Sequence, residues 1–286
     1  MSDLTISEAD AKDAKTPRLL RLIPAGVFVL SLPAGAYRAY LLYTAIEPST
    51  GLYTAAGSVG GVIFFCVLAL LAVCCIAAGF YARKHPPVRP VKNEAVVTAF
   101  AATVLALMFA ALFFTGLFRL FGSRPLNIFL LIETVLCVPS ALYFWHVCVS
   151  GNRKPEGDYP DPSVLPLFPA VFVGVCTVER FIDVTRQINA SERSFEMFTL
   201  VCLMMFFVSE ARFYAPLRES EKTSAVKAKN AGVYYAYALL VTVTVAAVIL
   251  PYMLVSAFWL YDASDILYHV LYACIGLYAL ARAFVF

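Results

Sequence analysis

The residues able to do chemistry in this chain are charged and titratable side chains set inside long apolar runs. Glu133 lies seven residues after Leu126 in such a run, so its carboxylate falls about 10 Å into a helix that starts there. An acid at that depth serves either as a proton or cation site or as a carboxylate tied to an arginine for structure. His269 stands six residues into the last apolar run, with Tyr272 and Gly276 following at i+3 and i+7 on the same helical face. Its imidazole is either a proton partner for Glu133 or a hydrogen-bonded structural group.

Glu179, Arg180, Asp183 and Arg186 form a third group. Glu179 and Asp183, at i and i+4, can share a cation or a proton, and Arg180 can pair with Asp183 at i+3. Counted from Val164, these residues occupy the last turns of their run, so a solvated cap is the expected arrangement. Arg38 sits among Tyr37, Tyr40 and Tyr43 and either snorkels toward an interface or pairs with Glu133. Glu210 and Arg212 read as an interfacial pair. The candidate substrate- or proton-binding residues are thus Glu133, His269, Arg38, Glu179, Arg180 and Asp183.

Other chemistries lack their motifs. The three histidines form no HExxH, there is no Walker A sequence, and no GxSxG supplies a serine nucleophile. Tyr261-Asp262 matches half of the intramembrane aspartyl protease pair, but the GxGD half is missing. The expectation is a protein that is not an enzyme and that carries no cofactor, no metal and no catalytic residues.

The elements that must position these side chains follow from composition. Of 286 residues, 61% are hydrophobic and 14% charged, far from the balance of a water-soluble globule. Twenty-two Lys and Arg against 19 Asp and Glu leave +3, too little and too scattered for a nucleic-acid partner. All eight cysteines lie inside apolar runs, which argues against a disulfide framework. The chain reads as an all-α integral membrane protein whose main partner is the lipid bilayer.

Eight runs approach the roughly 20 residues a spanning helix needs. They are Leu22–Ile46, Tyr53–Tyr81, Ala95–Phe121, Leu126–Cys148, Val164–Asp183, Phe195–Tyr214, Val233–Leu260 and Ala263–Phe284. The fifth and sixth are the least apolar, and a re-entrant hairpin there would leave the other spans oriented as before. Residues 1–17 read as a disordered cytoplasmic tail without signal-peptide character, and 18–286 as the eight-helix domain. Pro33, Pro139 and Pro251 are expected to kink their helices. Trp145, Tyr234 and Tyr235 are expected at the inner interface, and Trp259 and Tyr261 at the outer.

A duplication is also legible. Lys92-Asn93 matches Lys229-Asn230, and the same offset of 137 aligns Phe121 with Phe258 and Cys137 with Cys274. Two parallel four-helix halves, 18–149 and 162–286, would follow. The offset places His269 opposite Ile132, beside Glu133. Gly57 and Gly61 make a GxxxG pair, and Ala102, Ala106 and Ala110 a small-residue stripe, both suited to close helix packing.

Two functions fit. The first is a small-solute transporter or permease whose polar residues line an outward-facing site. The second is a non-transporting assembly, sensor or scaffold protein, with a homo-oligomer or a membrane partner. The short loops suit a bacterial plasma membrane. Sixteen of the 22 Lys and Arg fall on the side of the N-terminus under the eight-span reading, so both termini are predicted to be cytoplasmic. On a cysteine-free background, cysteine at Ser49 or Ala263 should react with an impermeant maleimide on intact cells. Cysteine at Lys222 should react only after lysis, and its labelling in intact cells would reverse the orientation.

Overall fold

The computed structural model describes residues 18–45, 54–85, 92–122, 127–151, 164–186, 191–214, 224–259 and 263–284. The tail 1–17, most of the interhelical basic residues and Tyr261 lie outside these segments, as do the side chains of Asp183 and Trp259. All regular structure among the described residues is helical. The helices are α1 (Arg18–Thr44), α2 (Ala55–Lys84), α3 (Lys92–Gly122), α4 (Ile128–Gly151), α5 (Leu167–Arg186) and α6 (Ser191–Tyr214). After them come α7 (Ser224–Thr244), a π-helical segment (Val245–Ile249), α8 (Leu250–Trp259) and α9 (Ala263–Phe284). Helices suit apolar runs because each satisfies its own backbone groups where lipid offers none.

Because α7, the π segment and α8 run on without a break, the described residues form eight rods, of which seven are long and apolar enough to cross a membrane. The exception is α5, the fifth of the eight runs read from the sequence. Its 20 residues include Glu179, Arg180, Asp183 and Arg186, which lower its hydropathy below that of a span. The sixth run does qualify, as Ser194–Tyr214.

The bundle is organised around the α7 rod. Its span is 67% buried, against 22% for α2, which presents most of its surface outward. α2 packs along α7, α6 packs between α5 and α7, and α3 pairs with α4 and α9. α1 lies across the π segment and α8. The principal neighbours of α7 are α1, α2, α6 and α9, whereas those of its counterpart α3 are α4 and α9 alone.

Small residues set these crossings. A Cβ on Gly79 of α2 would lie 2.6 Å from Ala236 Cβ and 2.7 Å from the Gly232 carbonyl oxygen of α7. Gly57 lies equally close to Ala45, just past the end of α1, and Gly60 to Leu41 within it. Ala102 and Ala106 are buried on α3, as the small stripe requires.

Prolines dictate two further contacts. Pro24 lies inside α1 and has no N–H for the Leu20 carbonyl one turn earlier. The Tyr235 hydroxyl of α7 donates to that carbonyl instead, at 2.8 Å. Pro251 lies just beyond the π segment, where Leu250 N–H closes the wide turn on Val245 O. The next such bond would run from residue 251 to Ala246 O, and proline cannot make it. Gly35 of α1 is seated there, since a Cβ on it would lie 2.5 Å from Ala246 O. Tyr234 and Tyr235 are both buried and hydrogen-bonded within the bundle, so they are core residues rather than interface markers. Trp145 is exposed, as an interfacial tryptophan would be.

Gly79→Val should lower the unfolding temperature in detergent by an amount equivalent to about 1–3 kcal/mol or more, because the crossing has no room for it. Gly26→Ala, at a helical glycine with open space around it, should leave stability unchanged or raise it slightly. Equal losses from the two substitutions would show that the crossing is not tightly packed.

Candidate functional site

Two buried polar layers cross the bundle, and α6 contributes a carboxylate to each. Glu196 and Glu210 are 14 residues apart on one stripe, about 21 Å along the helix. α9 runs beside α6 with His269 level with Glu196, and Tyr278 and Arg282 level with Glu210.

In the first layer, Glu196 Oε1 lies 3.4 Å from His269 Nε2 and 3.7 Å from Arg180 Nε. The His269 ring stacks on Tyr252 of α8 at 4.7 Å. Arg38 of α1 is buried, with its guanidinium 4.6 Å from the Phe195 ring and 4.9 Å from that of Phe64. Such cation–π seating holds a charge where lipid would reject it. Arg38 therefore neither snorkels outward nor pairs with Glu133.

Glu133 of α4 is buried and takes a 2.5 Å hydrogen bond from the Tyr268 hydroxyl to Oε2. The Tyr268 ring is itself stacked against Phe172 of α5. Cys176 and Glu179 of α5 also lie against the Glu133 carboxylate, while its Oε1 is buried without a hydrogen-bond partner among the described residues. Glu133 forms one wall of a cavity of about 300 Å³ between α3, α4 and α9. Leu112, Phe118, Leu130 and Leu267 supply apolar walls, with Thr115 and Arg119 on its α3 side.

Of the six candidates, Glu133 and Glu179 meet one another, and Arg180 and His269 meet through Glu196. Arg38 stands next to them across Phe195. The α9 residue hydrogen-bonded to Glu133 is Tyr268 and not His269, whose imidazole lies against Glu196. Arg180 is not part of a solvated cap, since it points into the bundle toward α6 with its side chain 14% exposed. Glu196 and Tyr268 were missed in the sequence. The heptad spacing Glu196, Leu203, Glu210 signals an inward-facing acidic stripe, and Leu203 and Glu210 are both fully buried.

In the second layer, Glu210 Oε1 accepts from the Tyr278 hydroxyl at 3.0 Å and the Tyr234 hydroxyl at 3.1 Å, and pairs with Arg282 Nε at 3.1 Å. Arg282 Nε also donates to the Tyr278 hydroxyl at 2.9 Å, and Tyr143 and Tyr278 share a hydrogen bond of 3.3 Å. The layer thus ties α4, α6, α7 and α9 together. Arg212, the expected partner of Glu210, is exposed, and its carbonyl accepts from Asn230 instead. Among the described residues no three His, Cys, Asp or Glu side chains converge as a metal ion would need.

Removing one partner of a buried ion pair costs about 3–5 kcal/mol, since the other is left uncompensated. Glu210→Gln and Arg282→Met should each lower the unfolding temperature strongly, and the double variant should lose less than the sum. Fully additive losses would show that the two side chains act independently.

No protein family matches this chain, and neither does any curated protein or solved structure.

Proposed function

We propose that the chain is a small-solute permease of a bacterial plasma membrane, with both termini in the cytoplasm and the Glu133 site in the outer half of the bilayer. The observation that carries this reading is Glu133 itself. It is a carboxylate on an apolar helix, buried, hydrogen-bonded by Tyr268 and set at the edge of a cavity of about 300 Å³. A charge at such depth costs about 2.5–3.5 kcal/mol, and intramembrane acids mark ion, proton or substrate pathways. Glu133 is the binding or coupling carboxylate in this reading, and Glu179 is its immediate partner. His269, Arg180 and Arg38 form the charged layer around Glu196 that adjoins it. α5, too polar to count as a span by itself, completes the bundle as the eighth crossing. Parallel four-helix halves remain part of the sequence reading, although the site draws on α3, α4, α5 and α9 without regard to them.

The second reading, a non-transporting assembly or scaffold protein, is favoured by the Glu210 layer, whose groups bind one another as a structural clasp does. The test separates the two. Purified protein is screened for thermal stabilisation against amino acids, sugars, carboxylates, nucleosides and amines across roughly pH 5 to 8, where imidazole chemistry acts. Any stabilising compound is then offered in radiolabelled form to proteoliposomes. Uptake by the wild type that falls at least about ten-fold in Glu133→Gln, with folding retained, is the expected result. Uptake unchanged by that substitution, or no uptake of any stabilising compound, would favour the scaffold.

A further inference from the structure

We infer that Glu133 of α4 and Glu179 of α5 hold a single proton between them and act as one proton-binding site. Such a proton is the coupling ion of the transporter, a physiological meaning that rests on the permease reading.

The Glu133 carboxylate has two unlike sides. On one, the Tyr268 hydroxyl donates to Oε2. On the other, Oε1 is buried without a hydrogen-bond partner among the described residues, and Cys176 and Glu179 lie against the group. A thiol is a weak donor, and an ionised carboxylate donates nothing. Glu133 and Glu179 therefore meet as acceptor against acceptor unless one of them carries a proton. A proton on either turns the contact into a charge-assisted O–H···O⁻ hydrogen bond, one of the short, strong kinds.

The count of charges leads to the same proton. Glu196 has Arg180 and His269 beside it, and Glu210 has Arg282. Neither Glu133 nor Glu179 forms an ion pair among the described residues. Cys176 of α5 and Tyr268 of α9 face the pair, and both are neutral groups. Behind Cys176 stands Tyr272 of α9, whose hydroxyl is fully buried and has no hydrogen-bond partner among the described residues. That hydroxyl lies between the pair and the Glu196 layer, a further donor and acceptor at the edge of the site. Arg119 of α3 is exposed on the cavity wall, and Arg180 and His269 are engaged by Glu196. Two negative charges held together without a cation repel strongly in so dry a place, so one proton stays with the pair.

The two acids differ in access. Glu133 is 2% exposed, whereas Glu179 is only half-buried. A proton thus enters and leaves through Glu179. It passes to Oε1 of Glu133 as the O–H bond on Glu179 breaks and the new one forms, and the negative charge moves the opposite way.

The test is infrared spectroscopy of full-length protein in detergent, in water and in deuterium oxide near neutral pH. The wild type should show the carbonyl stretch of a protonated carboxylic acid. Glu133→Gln and Glu179→Gln should each abolish it, because either removes the like charge that retains the proton. Thermal unfolding reports on folding in the same samples. Glutamine has the shape of a protonated glutamate and can donate to the carboxylate left beside it. Both variants should therefore keep Tm near neutral pH, in contrast to Glu210→Gln. As pH rises above neutral the wild type should lose the band and, with two negative charges then in contact, stability as well. Either variant should lack that loss.

Absence of the band in the wild type would overturn the shared proton. So would a band that survives Glu179→Gln, since the proton would then belong to Glu133 alone. A fall in Tm near neutral pH as large as that of Glu210→Gln, in either variant, would show an ionised acid with a cationic partner and overturn it too. The two proposals fail separately. A shared proton without uptake of any solute by proteoliposomes would leave the pair standing and remove the permease. Glu133-dependent uptake without the band would remove the shared proton alone.

Discussion

α6 carries two carboxylates four helical turns apart, and the polar core of the bundle is arranged to meet them. A bilayer offers no water to a buried Glu196 or Glu210, so each must find its donors on neighbouring helices. Glu196 gathers Arg180 from α5 and His269 from α9. Glu210 gathers Tyr234 from α7, and Tyr278 and Arg282 from α9. These demands fix the axial register of α6 against α9 at both ends, which apolar packing alone leaves free to slide. They also place Tyr268, one residue before His269, where it can reach Glu133 on α4.

Between the layers the contacts obey the same rule at the level of the backbone. Proline removes a donor from a helix, and the orphaned carbonyl must be met from elsewhere or lie against something small. Tyr235 meets the carbonyl that Pro24 leaves open, and the bare face of Gly35 covers the one beyond Pro251. α1 is docked on α7 and α8 by these two repairs, with Arg38 as a third anchor between Phe64 and Phe195. Its surface is otherwise largely turned outward, with Leu22, Val29, Leu30 and Tyr43 all exposed.

Spans could be read from the sequence because hydropathy is summed over some 20 residues, and one misplaced side chain cannot change the sum. The fifth run is the instructive departure. Four charges within eight residues make it too polar for a span by composition, yet α5 is a full helix packed on α4 and α6. Of the candidate residues, Glu133 and Glu179 lie together, and Arg180 and His269 meet on Glu196. The partners that hold them were not legible. An alignment of two apolar helices fixes register only to within a residue or two, and that error is enough to replace Tyr268 by His269. The Glu210 layer was hidden for a different reason. Tyrosines in a membrane sequence suggest an interface belt, and nothing local distinguishes a hydroxyl in water from one on a buried carboxylate.

The π segment has a consequence for the geometry of the charged layer. A π-turn accommodates one residue more than the α-turn it replaces. All of α8 is therefore phased to α7 by that single surplus residue between Val245 and Ile249. Excising one residue there and letting the rod close as a regular α-helix would advance α8 by about 1.5 Å and swing it by about 100°. Tyr252 would leave the face of His269, and Pro251 would leave Gly35. A chain one residue shorter would keep the same hydropathy profile and the same spans, and would still lose the aromatic wall of its charged layer. In that sense the length of the seventh rod, counted in residues, is itself a structural constraint, one that no substitution along it can restore.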